Sequence, residues 1–402
     1  MYFKSMLLRY PEIRRVESLD GLKDVTLLVN GDYLKPDVIV RLKESGVTLV
    51  SFDINDNTLL TDSHRNSPEV LLIDLIFKIG GIQKQNQSQD LSIDGDFNFS
   101  LRPRTFLPEA DWTRYKALFE AGRLQSLPYV PWNHQDAPER SYGARSGNVL
   151  VRGGNHFYRF ITFLNLARLG RADARSSFVT ADYFRRDMNP QFRYCELCIQ
   201  EKEQFGKCHF TRIRPNNCTS PAMWGGIGFE DGVQDLESYE TANRFNNRCP
   251  RSFFWLTEQF EKKHGRVDHA LVERALNGSF QSAASFMDDL SQATFYTDLK
   301  WLFSIYCPPR FWEAANAGTI NLLPRRTNEQ AHFPHIEDGV HYLSFLEVFS
   351  DLDKQVDESA FNAITGAAKG LFDGWIRSGA YPISERLCRH ILTEIERVSE
   401  TV

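Results

Sequence analysis

No apolar run in this 402-residue chain approaches the roughly 20 residues needed to cross a bilayer, which argues against a membrane-spanning helix. The opening stretch MYFKSMLLRYPEIRR has one brief apolar patch and no small-residue cleavage site, so no signal peptide is expected. The expected compartment is therefore the cytoplasm, with peripheral association at the inner face of the membrane left open. Cysteine is scarce: seven residues, an odd number, fit reduced thiols better than a disulfide framework. Cys195, Cys198, Cys208, His209 and Cys218 share one region, but their spacing matches no common zinc finger, and buried free thiols are the default reading. Positive charge is not in excess. A formal net charge of -5 gives no electrostatic footprint for non-specific nucleic-acid binding. Internal repeats and low-complexity segments are absent. Asp94-Gly-Asp96 is an Asp-x-Asp pair, but it falls in a polar loop. No metal and no cofactor are therefore expected, and a metal-dependent variant stays open on that pair alone.

The length implies two domains of roughly 150–200 residues each. Hydrophobic content of 42% and charged content of 25% are ordinary for a globular chain. Aromatics reach 13%, with thirty Phe; most belong in a core, although rings also stack on sugars and bases. DVTLLVN (24–30) reads as a strand, the segment after it has apolar positions Leu34, Val38 and Leu42 at helical spacing, and VTLVSFDIND (47–56) reads as a second strand. A strand, helix and strand within about 30 residues imply a right-handed crossover in a parallel sheet. Asn30, Gly31, Asp32, Asp53 and Asp56 would then lie beyond carboxyl ends of strands, where ligands gather in such sheets. VLLIDLIFKIGG (70–81) is helix or strand; its periodicity does not decide.

Pro128–Gly147 is rich in Pro, Gly and polar residues. It divides the chain into an N-terminal domain (1–135), a linker (136–147), a second α/β domain (148–380) and a C-terminal helix (381–402). NVLVRGG (148–154) opens a new strand, and NHFYRFITFLNLARLG continues as a helix with Phe160, Phe163, Leu164, Leu166 and Leu169 on its apolar positions and Gly170 as its stop. FYTDLKWLFSIYC is expected as a helix running into a strand, FWEAANAG as a short helix, and TINLLP and GVHYLSF as strands. In the tail, Leu387, Ile391, Ile395 and Val398 recur at helical spacing with charges between them.

Four groups of residues carry candidate chemistry. In PPRFWEAANAGTINLLP (308–324), Arg310 and Glu313 stand three apart and so share a helix face, with Gly318, Thr319 and a strand directly after. They form either a surface ion pair or a ligand edge. In VRGGNHFYR (151–159), Gly153 and Gly154 allow a tight turn, while Asn155, His156 and Arg159 add donors at a helix start. The alternative is a plain turn capped by Asn155. In NNCTSPAMWGGIGFEDGVQD (216–235), Glu230 and Asp231 lie in a Gly-rich loop, with Arg212 and Arg214 nearby, as an acid, base or nucleophile site would require. Among the histidines, His264, His269, His332 and His335 are potential proton or phosphate groups.

PPRFWEAANAGTINLLP followed by GVHYLSFLEVFSDLDKQV resembles the C-terminal half of GT-B-type glycosyltransferases of bacterial surface-polysaccharide assembly, the spore-maturation-type group in particular. NGDYLKPDVIVRLKESGVTLVSFDIND resembles their first domain. The resemblance implies an α/β fold of two Rossmann-like domains with a central cleft and a C-terminal helical tail. It implies a nucleotide sugar as substrate and a glycan or glycolipid as acceptor. Glu313 would bond the nucleotide ribose, Arg310 would face phosphate, and Gly318 and Thr319 would let the backbone approach the ligand. From the other groups read above, Gly153, Gly154, Asn155, His156, Arg159, Arg212, Arg214 and His335 are the candidates to complete the donor site, with His264 as an acid or base. The loop around Asp231 also resembles retaining β-Kdo transferases of lipopolysaccharide and capsule assembly, which use a CMP-activated acidic sugar. That implies Asp231 as nucleophile, with Glu230 as the alternative. A UDP- or GDP-sugar donor and a non-catalytic sugar-binding relative stay open.

Overall fold

A computed structural model of the chain describes residues 7–31, 34–53, 60, 67–79, 82, 92–93, 99–100, 109–127, 136–154, 157–179, 257–258, 260–262, 264–276, 283–298, 309–323, 335–344, 356–374 and 382–400. Their architecture is α/β, with two parallel sheets. The first is built from β1 (Thr26–Asn30), α1 (Pro36–Glu44), β2 (Thr48–Asp53), β3 (Leu75–Ile79), α2 (Glu109–Glu120) and β6 (Leu124–Leu127), and the short antiparallel pair β4 (Ser92–Ile93) and β5 (Phe99–Ser100), between β3 and α2 in sequence, is a separate sheet. Its order is β1-β2-β3-β6, all parallel, with Leu28 opposite Val50 and Phe52 opposite Phe77. The ambiguous 70–81 run resolves into a 3-10 turn over Pro68–Leu72 followed by β3, whose five residues are all buried. Burial on both faces is why that run shows no alternation.

The second sheet uses β7 (Ser146–Gly154), α3 (Phe157–Arg168), β8 (Ser177–Val179), α4 (His269–Leu276), α5 (Ala283–Ser291), β9 (Ala293–Thr297), α6 (Pro309–Asn316), β10 (Ile320–Leu323) and β11 (Leu343–Ser344). Helices α7 (Glu358–Phe372) and α8 (Pro382–Glu400) follow. Here the order is β8-β7-β9-β10-β11, again all parallel. From β7 the chain steps to one side to lay down β8, then returns to the other side for β9. The connection direction therefore reverses between β7 and β9, and in open α/β sheets the crevice at such a reversal is where ligands bind. One expectation is corrected. FYTDLKWLFSIYC begins as strand rather than helix, because Phe295, Tyr296 and Thr297 belong to β9, a strand buried along its whole length.

Each strand of the first sheet alternates between two apolar layers. Leu27, Leu49, Ile76 and Leu124 pack with Ile39 and Leu42 of α1 and with Tyr115 and Leu118 of α2. Val50, Phe52, Leu75, Phe77 and Leu127 face the other way. These strands are added in one direction across the sheet, so right-handed crossovers leave their helices on a single face. The second face needs a cover from elsewhere in the chain, and α8 supplies it: Leu387, Cys388, Ile391 and Val398 join the Phe52–Phe77 cluster. Polar contacts fix the helix along the sheet. Gln125 donates to Glu394 at 2.5 Å, and the Thr26 and Ser399 hydroxyls lie 2.9 Å apart. At the carboxyl ends of β2 and β3, Asp53 and Lys78 form a fully buried ion pair at 3.3 Å.

The residues leading into β7 are tied to the second sheet. Arg140 donates to Ser291 Oγ at 3.1 Å and to Asp288 at 2.9 Å. Arg145 donates to the carbonyls of Arg140, Ala293 and Ala317 and to Thr319 Oγ1. Burial first, and the neighbouring Arg140 second, press the Arg145 pKa down to about 10.

Candidate functional site

Helices α3 and α6 each leave the carboxyl edge of a strand bordering the reversal, α3 from β7 and α6 after β9. Charged residues in their first turns meet over the end of β9. Arg159, the third residue of α3, pairs with the carboxylate of Asp298, which directly follows β9. Arg310, the second residue of α6, reaches the other oxygen of Asp298 at 3.7 Å. Its second acidic neighbour is Glu313, at 3.6 Å on the same helix. The Arg310 guanidinium lies 4.4 Å from the ring centre of Phe286 on α5, which holds its plane in place. Tyr296 of β9 is buried beneath and coupled electrostatically to Arg310, Arg159, Asp298 and Glu313.

The electrostatics are asymmetric. The Arg159 side chain is 3% exposed and that of Asp298 9%, so this pair is sealed. Arg310 keeps 34% exposure, and Glu313 is buried with 5% of its side chain exposed. Burial raises the Glu313 pKa to about 7; the Asp298 charge pushes it the same way, and Arg310 only partly opposes them. Its Oε2 accepts no hydrogen bond among the described residues. Burial, reinforced by Asp298, also raises the Tyr296 pKa far above its ordinary value, so the phenol stays neutral. A buried carboxyl that titrates near neutrality, beside a partly exposed guanidinium at a strand-end crevice, is what an anion- or hydroxyl-binding site provides.

The Gly-Gly pair at the end of β7 has a specific cause. Gly153 has a φ of +143°, and a Cβ placed there would come within 2.7 Å of the Arg159 guanidinium. The glycine makes room for Arg159 to cross the strand end towards Asp298. Gly153→Ala is expected to cost about 1–3 kcal/mol, measured by chemical denaturation, since Arg159 is held by its partner and the backbone disfavours a side chain. A cost below about 0.5 kcal/mol would mean that Arg159 can step aside.

Of the residues expected from sequence, Gly153, Arg159, Arg310 and Glu313 come together here, with Gly154 completing β7 beside Gly153. Gly318 and Thr319 do not. Helix α6 runs from the carboxyl edge back to the start of β10, which leaves both residues at the opposite, amino-terminal edge of the sheet. There Thr319 donates to Leu290 O at 2.6 Å, and a Cβ on Gly318 would sit 3.2 Å from Arg145. They brace the sheet, and we leave them out of the site. His335 is exposed in the turn that leads into the amino-terminal end of β11. His264 packs against Phe260 with its ring tilted, ring centres 4.8 Å apart, in the segment before α4. His269 lies 2.9 Å from Glu261 on the surface. Asn155, His156, Arg212, Arg214, Glu230, Asp231, His332, the Asp94–Asp96 pair and the cysteines from Cys195 to Cys218 lie outside the described residues. Among the described residues, no group of three His, Cys, Asp or Glu is placed to hold a metal ion, and no helix is long and apolar enough to cross a membrane.

Asp298, Tyr296 and Phe286 are the residues that sequence reasoning missed. The Asp298 signal was present as an acid directly after an apolar strand, but reading that stretch as helix hid it. No family model matches the chain, and no curated protein matches it significantly.

Proposed function

We propose that the chain is a glycosyltransferase that takes a sugar from a nucleotide-activated donor, with the donor held over the carboxyl edge of the second sheet. The observation that carries this reading is the Arg310–Glu313 pair. It lies along α6 at the strand reversal, Arg310 in the first turn and Glu313 one turn on, in the sequence context that resembles the ribose- and phosphate-binding helix of GT-B enzymes. Arg310 is the cation with surface left to meet a phosphate, and Glu313 has an oxygen that, among the described residues, has no hydrogen-bond partner and could take a ribose hydroxyl. Arg159 and Asp298 form the rigid base beneath them. Transition-state charge on the leaving phosphate would be met by Arg310 and the first-turn amides of α3 and α6. Two Rossmann-like domains separated by a cleft, with the first sheet on the acceptor side, complete the reading. The donor we favour is a CMP-activated acidic sugar such as Kdo, transferred with retention through Asp231 to a bacterial surface glycan. That choice rests on the loop resemblance alone, and a UDP- or GDP-sugar uses the same Arg310–Glu313 edge.

The test is thermal unfolding of the full chain with CMP, UDP and GDP. One of the three is expected to raise the midpoint by several degrees near 100 times its dissociation constant, equivalent to about 2.7 kcal/mol. Arg310→Ala is expected to remove that shift. No shift with any nucleotide would overturn the transferase reading and favour a protein that keeps the fold without the donor.

A further inference from the structure

One guanidinium serves two carboxyl groups at this site. Arg310 lies 3.7 Å from Asp298 and 3.6 Å from Glu313, both beyond hydrogen-bond length, and it alone of the two cluster arginines has appreciable exposed surface. Asp298 has a second cation in Arg159. Glu313 has none: among the described residues, the titratable groups that act on it are Arg310 on its own helix, Tyr296 of β9 and Asp298 directly after β9. Neither α5, α7 nor β10, the elements packed on α6, contributes a further charge to it among those residues. An anion that engages Arg310 from the solvent side therefore competes with Glu313 for the one charge that compensates it among the described residues. With both cations committed, the site holds Arg159 and Arg310 against Asp298, Glu313 and the incoming anion. A negative Glu313 then has a like charge as neighbour and an oxygen with no donor among the described residues.

We infer that this site binds its anionic ligand with uptake of a proton by Glu313, so that ligand affinity at the Arg310 edge is set by pH. Burial already places the carboxyl near its midpoint at neutral pH, so the proton is available where it matters. The sign follows directly. Binding favours the protonated acid, the Glu313 pKa rises further in the complex, and affinity falls as pH climbs through about 7. The protonated acid can also donate to a phosphate oxygen, which an ionised carboxylate cannot. This inference rests on the Arg310–Glu313 site of the preceding reading and concerns its control.

Sulfate is the probe, because it does not titrate near neutrality. Isothermal calorimetry on the full chain, in buffers of different ionisation enthalpy near pH 7, is expected to show uptake of about half a proton per sulfate bound. Sulfate affinity is expected to fall about tenfold between about pH 6 and about pH 8. In Glu313→Gln, which fixes the neutral form, both the uptake and the pH dependence are expected to vanish, with affinity staying near the low-pH value of the unaltered chain. Proton release, a flat pH profile in the unaltered chain, or no sulfate binding at all would each overturn the inference. The same titration with CMP, UDP and GDP separates the two proposals. A nucleotide that binds without proton uptake keeps the transferase reading and removes this one. Sulfate binding with uptake but no nucleotide binding keeps this one and removes the other.

Discussion

Asp298→Ala is expected to destabilise the protein by about 3–5 kcal/mol, the cost of taking the carboxylate away from a buried cation. Arg159 is the reason. Its side chain is 3% exposed, is threaded past Gly153, and points its guanidinium at Asp298. Removing the carboxylate leaves that cation where water cannot reach it. Arg310, with 34% exposure, adds less because solvent can take over its charge. Urea denaturation gives the number. Asp298→Ala combined with Arg159→Met is expected to recover part of the loss, because it removes the buried cation together with this carboxylate. A single-variant cost below about 1 kcal/mol would show that the Asp298 knot does not organise this edge. The variant has a second consequence. Asp298 helps to raise the Glu313 pKa, and without it Arg310 has one acid left to serve, so the Glu313 pKa is expected to fall below about 7 and any pH response of ligand binding to move down with it.

Ile391→Asp is expected to abolish cooperative folding. Ile391 is fully buried against the second face of the first sheet, within the cluster that holds Val50, Phe52, Phe77 and Leu127. Burying an unpaired carboxylate there costs more than about 4 kcal/mol, which is comparable to the whole stability of many domains. The control lies two residues earlier on the same helix. Arg389 pairs with Glu385 at the surface, its side chain 74% exposed, and Arg389→Ala is expected to change stability by less than about 0.5 kcal/mol. Thermal unfolding of both variants, with near-ultraviolet circular dichroism for tertiary packing, distinguishes a structural layer from an appendage. A well-folded Ile391→Asp would make α8 an appendage.

The contrast between these two sites is instructive. The α8 interface follows from topology: strands added in one direction put their helices on one side and leave the other bare. The Asp298 knot follows from a reversal of that direction, which opens a gap between two helix starts. The same chain thus uses one sheet order to demand a distant cover and another to create a crevice.

Much of this was legible in the residues. The strands of the first crossover, the tail helix with Leu387, Ile391, Ile395 and Val398 on one stripe, and the importance of Arg310 and Glu313 all follow from local patterns, because period and spacing are properties of neighbours along the chain. The tertiary structure alone decided three things. It showed that α8 completes the first sheet, a contact between Glu394 and Gln125, 269 residues apart in sequence. It moved Gly318 and Thr319 to the far edge, since an eight-residue helix carries the chain from one end of the sheet to the other. It also brought Asp298 to Arg159 from 139 positions away and gave Glu313 its buried, half-compensated setting. Sequence spacing reports which face a residue shares with its neighbours. It does not report which remote charge will be sealed against it, and that charge sets the chemistry of this edge.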